Sequence, residues 1–152
     1  MTVVIRKPKL TDLKKWGILW KSYLSFYKSE SLAVESTELL WQRIHTLENS
    51  ICCLVAQEIK TKQVVGFVHY LHHADTWNKQ DVCYLEDLFV DEKMRGEGVG
   101  EALINAVQQQ AIEHQWHKVY WHTKQDNKQA RALYDRLTGG RDGFISYRLI
   151  AK

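Results

Sequence analysis

The residues with the clearest chemical potential lie between Tyr84 and Glu101. An apolar run, Tyr84-Leu-Glu-Asp-Leu-Phe-Val90, leads through Asp91-Glu-Lys-Met94 into Arg95-Gly-Glu-Gly-Val-Gly100. Glycines at 96, 98 and 100 let a backbone approach a ligand without Cβ obstruction. The amphipathic stretch that opens with Glu101-Ala-Leu-Ile reads as a helix. Its first N–H groups have no acceptor inside the helix, and its dipole adds positive potential at the same place. Arg95 adds a fixed cation at the edge. The chemistry implied is anion binding, and a pyrophosphate suits it. A P-loop would close with Gly-Lys-Ser/Thr, where this chain has Gly100-Glu101-Ala102. A dinucleotide-binding unit would place its glycines directly after a first strand. Here they come late in the chain and behind an arginine.

Other reactive side chains are less suggestive. Cys52, Cys53 and Cys83 sit in apolar, strand-like runs and read as reduced packing residues. Adjacent His72 and His73 point to opposite faces of a strand, while His114, His117 and His122 straddle a helix–strand junction. Neither set has the spacing of a zinc site, so no metal is expected.

Such residues need a scaffold, and composition supplies one. The chain has 152 residues, 45% hydrophobic and 26% charged, enough for one ordinary globular domain over 1–152 with a real core. Its net charge of +3 is mild, and no basic, aromatic-interleaved patch suggests nucleic acid as a partner. No apolar stretch approaches membrane-spanning length, so no membrane partner is expected. The N-terminus reads as a short strand and not as a leader, and the reduced cysteines fit a cytoplasmic protein. Tryptophan and tyrosine are abundant enough that some should line a pocket or interface.

Patterning predicts a strand at Val3–Arg6 and a helix capped at Thr11-Asp12, with apolar positions Leu13, Trp16 or Gly17, Trp20, Leu24 and Tyr27. A second helix runs from about Ser36 to Leu47. Strands Ile51–Ile59 and Val64–His72 flank a turn at Lys60-Thr-Lys-Gln, and Val82–Val90 is a further strand. A helix from about Gly98 to His114 carries Leu103, Ala106, Val107 and Ala111 on one face. Lys118–Thr123 is a strand, Asp126-Asn127 caps a helix over Lys128–Arg136, and Phe144–Ile150 is a closing strand. The order β-α-α-β-β-β-α-β-α-β makes an α/β domain, with the ligand crevice where strands meet helices.

The pattern Arg95-x-x-Gly98-x-Gly100 resembles the acetyl-coenzyme A loop of the GCN5-related N-acetyltransferase (GNAT) family. Three later segments are similar in order and spacing: Val119-Tyr-Trp-His-Thr123, Asn127-x-x-Ala130-x-x-Leu133-Tyr134, and Gly143-Phe-Ile-Ser-Tyr-Arg148. The last resembles the yeast histone and polyamine branch. Val65-Gly-Phe-Val-His-Tyr70 with Tyr84–Val90 resembles the diamine (spermidine/spermine) acetyltransferases. The resemblance spans nearly the whole chain. One departure is Arg136-Leu-Thr-Gly-Gly-Arg-Asp142, where many relatives carry Leu-Gly-Phe.

The resemblance implies a mixed, mostly antiparallel sheet flanked by helices, and acetyl-CoA as cosubstrate. It implies that Leu88, Phe89 and Val90 meet the pantetheine arm, with the Val90 amide polarising the acetyl carbonyl. Arg95, Gly96, Gly98, Val99, Gly100 and Glu101 hold the pyrophosphate, while Asn127 and Ala130 belong to the cofactor-contacting helix. An alkylammonium with a pKa of ~10.4 must lose a proton before it attacks. Glu86 is the expected base or water-linked relay, or else a partner for a cationic substrate. Asp87 lies on the other side of a regular strand, and a bulge would turn both toward the pocket. Tyr134 is the expected acid for the departing thiolate and a cofactor contact.

The expected reaction is direct transfer of acetyl to a small primary amine in a ternary complex, with a polyamine or diamine as leading acceptor. Protein lysine or histone tails, amino acids and aminoglycosides are alternatives. A sensor that holds acyl-CoA without turnover is a different class, and absent thiol release with every amine would mark it. A nucleotide-binding structural protein would instead prefer a dinucleotide over coenzyme A. Glu30, Glu35, Asp75 and Asp81 are further candidates for a polycation, with Trp20, Tyr23, Trp77 and Tyr84 as walls. A homodimer is expected from the resemblance alone.

Overall fold

The computed structural model describes residues 2–29, 34–47 and 51–151, and the chain divides into two compact units, Met1–Trp121 and His122–Lys152. The first unit contains strands β1 (Val3–Arg6), β2 (Ile51–Glu58), β3 (Val64–His73), β4 (Val82–Val90) and β5 (Val119–Tyr120). Its helices are α1 (Leu13–Phe26), α2 (Val34–Ile44) and α3 (Val99–Glu113). The strands form one five-stranded sheet in sequence order, antiparallel throughout except for the parallel β4–β5 pair. A parallel neighbour needs a crossover between its strands, and α3 is that crossover.

Each face of the sheet has its own apolar layer. Phe67 of β3 and Phe89 of β4 meet Trp16, Leu19 and Trp20 of α1 and Trp41 of α2 in one buried cluster. Gly66, the next residue along β3, looks the other way, toward Val99 and Leu103 of α3. Val99, Leu103, Ile104, Val107 and Ala111 are the buried positions of α3, at the spacing a helix needs to face a sheet.

Gly66 is required by space. A Cβ there would lie 3.0 Å from the backbone oxygen of Phe89 and 3.4 Å from Leu103 Cδ1. A carbonyl in a ladder cannot rotate aside, so either β4 or α3 must move. Gly66→Ala is expected to cost about 1–3 kcal/mol, seen as a lower urea midpoint. An unchanged midpoint would show that the sheet absorbs the methyl group.

The start of α1 differs from the sequence expectation. Asp12 stands at the cap position, yet its side chain makes no capping bond to α1. It accepts instead from Arg6 Nη1 and Nη2, at 2.7 and 3.1 Å, and from the Lys9 amide at 2.7 Å. Burial opposes ionisation of this carboxyl, but the Arg6 and Lys9 donors outweigh it and hold it below its usual range. Asp12 therefore ties the end of β1 to the entry of α1.

The second unit holds α4 (Lys128–Thr138), ended by Gly139 in the left-handed conformation. The expected closing strand is not formed. Residues 144–151 have no regular secondary structure, and Phe144, Ile145, Tyr147, Leu149 and Ile150 are exposed. β-Propensity yields a strand only where a ladder partner receives it. Here Gly139, Gly140 and Gly143 all have positive φ, and the Phe144 amide turns back to donate to Asp142 Oδ1. The strand expected over Lys118–Thr123 contracts to Val119–Tyr120.

Candidate active site

The site begins with a counting irregularity in β4. His69 pairs with Asp87 and Tyr70 with Leu85, so Glu86 is an extra residue with no partner on β3. Residues directly opposite in a sheet share a face. Asp87 is therefore turned with His69 toward α1, and Leu85 is turned with Tyr70 toward the other face. Glu86 occupies the switch between them, which is the bulge considered from sequence.

The same strand offers an open edge. β5 pairs with β4 only at Cys83 and Tyr84, so Leu88 and Val90 lie beyond its reach. The Asp91 amide donates to Val65 O across the ladder, which makes Gly66–Val90 a non-hydrogen-bonded pair. By alternation Val68–Leu88 is another. The backbone N–H and C=O of Leu88 and Val90 thus point away from β3, as an extended ligand arm would require. The Phe89 side chain is buried in the α1 layer and is not open to a ligand.

Past the strand, Gly96 and Gly98 have φ of 81° and 77°. Nothing lies within 4 Å of a Cβ built on either, so backbone conformation and not crowding calls for glycine. Gly98 is the N-cap of α3, and the first internal helix bond runs from Ala102 N–H to Gly98 O at 3.0 Å. The amides of Val99 and Gly100 have no acceptor inside the helix, and Glu101 follows in the first turn. Arg95 lies over the Phe89 ring, 5.4 Å from its centroid, and donates from Nε to Val90 O at 3.2 Å. Glu92 stands 3.6 Å from its Nη1. Loop and strand edge thus fit a diphosphate joined to an extended arm.

Glu86 is exposed, and among the described residues its carboxylate has no hydrogen-bond partner. Partial burial and then the neighbouring Asp87 charge raise its pKa above the ordinary glutamate value. Asp87 is built differently. It accepts from Tyr23 OH at 2.6 Å on one oxygen and lies 3.0 Å from His69 Nδ1 on the other. The Tyr27 ring lies 4.8 Å from that of Tyr23, tilted by 52°, and burial followed by the Asp87 charge raises its phenol pKa. Tyr84 lies 5.1 Å from Tyr120, whose hydroxyl reaches His73 Nε2 at 2.7 Å.

Other expected residues are placed elsewhere. Trp20 is buried in the α1 layer and donates to Thr37 Oγ1, so it cannot be an open wall. Trp77 is exposed on the β3–β4 connection. Asp81 is engaged with His72 Nδ1 at 2.7 Å, and Glu35 lies in the first turn of α2. Glu30 lies outside the described residues. Cys53 and Cys83 are buried, and burial pushes the Cys83 thiol up to about 12, far from a nucleophile's range. Among the described residues no three His, Cys, Asp or Glu side chains gather as metal ligands, and no helix is long and apolar enough to cross a membrane.

In the second unit, Asn127 is the N-cap of α4 and its Nδ2 donates to Thr123 Oγ1 at 3.3 Å. Ala130 and Tyr134 follow along the helix, with Tyr134 half-buried. None of α4 is fully buried, so Tyr134 is not a core residue. Sequence reading missed His69 as a site residue. It stands in an apolar strand run like any packing residue, and only its spacing of two from Phe67 placed it on the α1 face.

A model of the acetyltransferase (GNAT) family matches residues 16–139. The chain is 32% identical over 135 residues to the D-amino-acid N-acetyltransferase HPA3 of Saccharomyces cerevisiae, covering 89% of this chain and 83% of that relative. It is also 32% identical over 91 residues to the thialysine N-epsilon-acetyltransferase of Bos taurus, covering 56% of this chain and 53% of the relative. Among solved structures, a probable acetyltransferase superposes with a TM-score of 0.84 at 23% identity, covering 100% of this chain and 99% of its own. An aminoglycoside acetyltransferase from an uncultured soil metagenomic sample gives 0.82 at 18%, covering 99% and 97%. At those identities the structures speak for the fold alone. The family match and the yeast relative carry the assignment further: the chain belongs to the GNAT family and is an acetyl-CoA-dependent N-acetyltransferase.

Proposed function

We propose that the enzyme acetylates a small-molecule primary amine, with a polyamine or small diamine as leading acceptor, by direct transfer in a ternary complex. The observation that carries this is the bulge, which sets Glu86 and Asp87 side by side at the open edge of β4 near Tyr23 and Tyr27. Adjacent carboxylates with aromatic neighbours suit an acceptor that keeps one positive charge while another amine reacts. Glu86, with its raised pKa, takes the proton as the amine nitrogen bonds to the acetyl carbon. The C–S bond then breaks, and Tyr134 supplies a proton to the thiolate of coenzyme A. The part given to Tyr134 rests on its motif, together with Asn127 and Ala130. The Leu88 and Val90 backbone serves the pantetheine arm, and Arg95 with the amides from Gly96 to Glu101 serves the pyrophosphate.

A second reading is an amino-acid acceptor, favoured by the likeness to the D-amino-acid enzyme. The two readings differ in what accompanies the amine, a second cation or a carboxylate. Thiol release from acetyl-CoA should be measured with putrescine, spermidine, thialysine, lysine, D- and L-amino acids, a histone-tail peptide and an aminoglycoside. The diamine reading expects kcat/KM to be highest for acceptors carrying a second cation. A preference for amino acids lacking one would replace it with the second reading. Tight acetyl-CoA binding without turnover of any amine would sink both.

A further inference from the structure

Behind Asp87 runs a buried chain of donors that no step of acetyl transfer consumes. Trp16, wholly buried, donates its Nε1–H to Nε2 of His69 at 3.1 Å. The opposite nitrogen of that ring, Nδ1, lies 3.0 Å from Asp87 Oδ2. An indole nitrogen donates and never accepts, so Nε2 must present its lone pair to Trp16. The imidazole proton is then on Nδ1, where it is donated to Asp87. A second proton on Nε2 would point at the indole N–H, so a neutral imidazole donates to the Asp87 carboxylate and the contact is a hydrogen bond, not an ion pair. Aromatic neighbours fix the ring: Phe67 lies 4.7 Å from it, Trp20 5.3 Å and Trp16 5.9 Å, centroid to centroid.

The other carboxylate oxygen accepts from Tyr23 at 2.6 Å. Burial first, and then the Asp87 charge, push the Tyr23 phenol far above its ordinary pKa, so it stays a donor. Both oxygens of Asp87 are thereby held, with the side chain 14% exposed and His69 at 1%. Glu86 beside it has no such support.

We propose that Trp16, His69 and Tyr23 are positioning residues that hold Asp87 as a fixed anion for the acceptor's cation, leaving Glu86 as the group that takes the proton. This rests on the reading of Glu86 and Asp87 as the acceptor site. A histidine placed only for packing would do as well with its proton on either nitrogen. A positioning histidine must have it on Nδ1.

Two measurements test the proposal. Nitrogen-15 NMR of the native protein should show His69 with a protonated Nδ1 and an unprotonated Nε2. A proton on Nε2, alone or together with one on Nδ1, overturns the proposal with no variant needed. In Tyr23→Phe, which keeps the ring and removes one donor to a charged group, KM for the amine with the highest wild-type kcat/KM should rise about tenfold. The kcat and the KM for acetyl-CoA should stay within about twofold, which a general loss of fold would not allow. An unchanged acceptor KM overturns the positioning role alone. Absence of turnover by the wild type with every amine overturns both this proposal and the acceptor reading beneath it.

Discussion

Glu86→Gln is expected to lower kcat/KM for the acceptor by about 10²-fold or more, the range a positioned general base supplies. Glutamine keeps the length and a polar end but cannot take a proton. Two further signs accompany the loss. In the wild type kcat/KM should rise with pH through the raised pKa of Glu86, and the variant should lack that limb. The stability effect runs the opposite way. The folded-state pKa lies above the unfolded value of ~4.3, so the fold favours the protonated carboxyl. That favour is full below the unfolded value and is lost as pH rises through the folded one. A neutral glutamine escapes the loss. Glu86→Gln should therefore melt higher than the wild type at pH 8, with the gap closing as pH falls toward about 4. A variant that is inactive and also less stable at pH 8 would point to damage at the bulge instead of a missing base.

Tyr134→Phe carries the second large effect, a fall in kcat of about 10²-fold at unchanged acetyl-CoA affinity. A thiolate must be protonated or strongly hydrogen-bonded as it leaves, and phenylalanine offers neither. Since no residue of α4 is fully buried, removing one hydroxyl should leave the helix in place. Steady-state thiol release together with calorimetric titration of acetyl-CoA separates the outcomes. A kcat within twofold of the wild type would remove Tyr134 from the chemistry. A matching loss of affinity would make it a binding residue.

The parts of this site that could be read from sequence were those with local causes. β4 was bounded at Val82 and Val90 because an apolar run ends at charged Asp91-Glu-Lys. The loop and α3 followed from Gly98 and the apolar spacing of Leu103, Val107 and Ala111. Whether Asp87 faced α1 was undecidable, since the residues of β4 are compatible with a regular strand and with a bulged one. The choice is made by register against β3, a non-local property. The Trp16–His69–Asp87–Tyr23 chain was invisible for a related reason. Its members come from three elements, and Trp16 and Tyr23 each looked like one more apolar position of an amphipathic helix. The closing strand failed in the opposite sense. Phe144 to Ile150 carries strand-forming side chains, but propensity does not supply a neighbour to pair with.

The bulge at Glu86 also makes one residue of β4 extra to the register of the sheet. A substitution at position 86 changes one functional group and leaves every neighbour where it was. A deletion there leaves Leu85 and Asp87 as consecutive residues of a regular strand, still on opposite faces and still opposite Tyr70 and His69. The Asp87 carboxylate therefore keeps Tyr23 and His69, and what the deletion removes is the Glu86 carboxylate together with the local bend of the bulge. Related chains without the extra residue should accordingly keep the sheet register and the held aspartate while lacking the proton-taking carboxylate beside it.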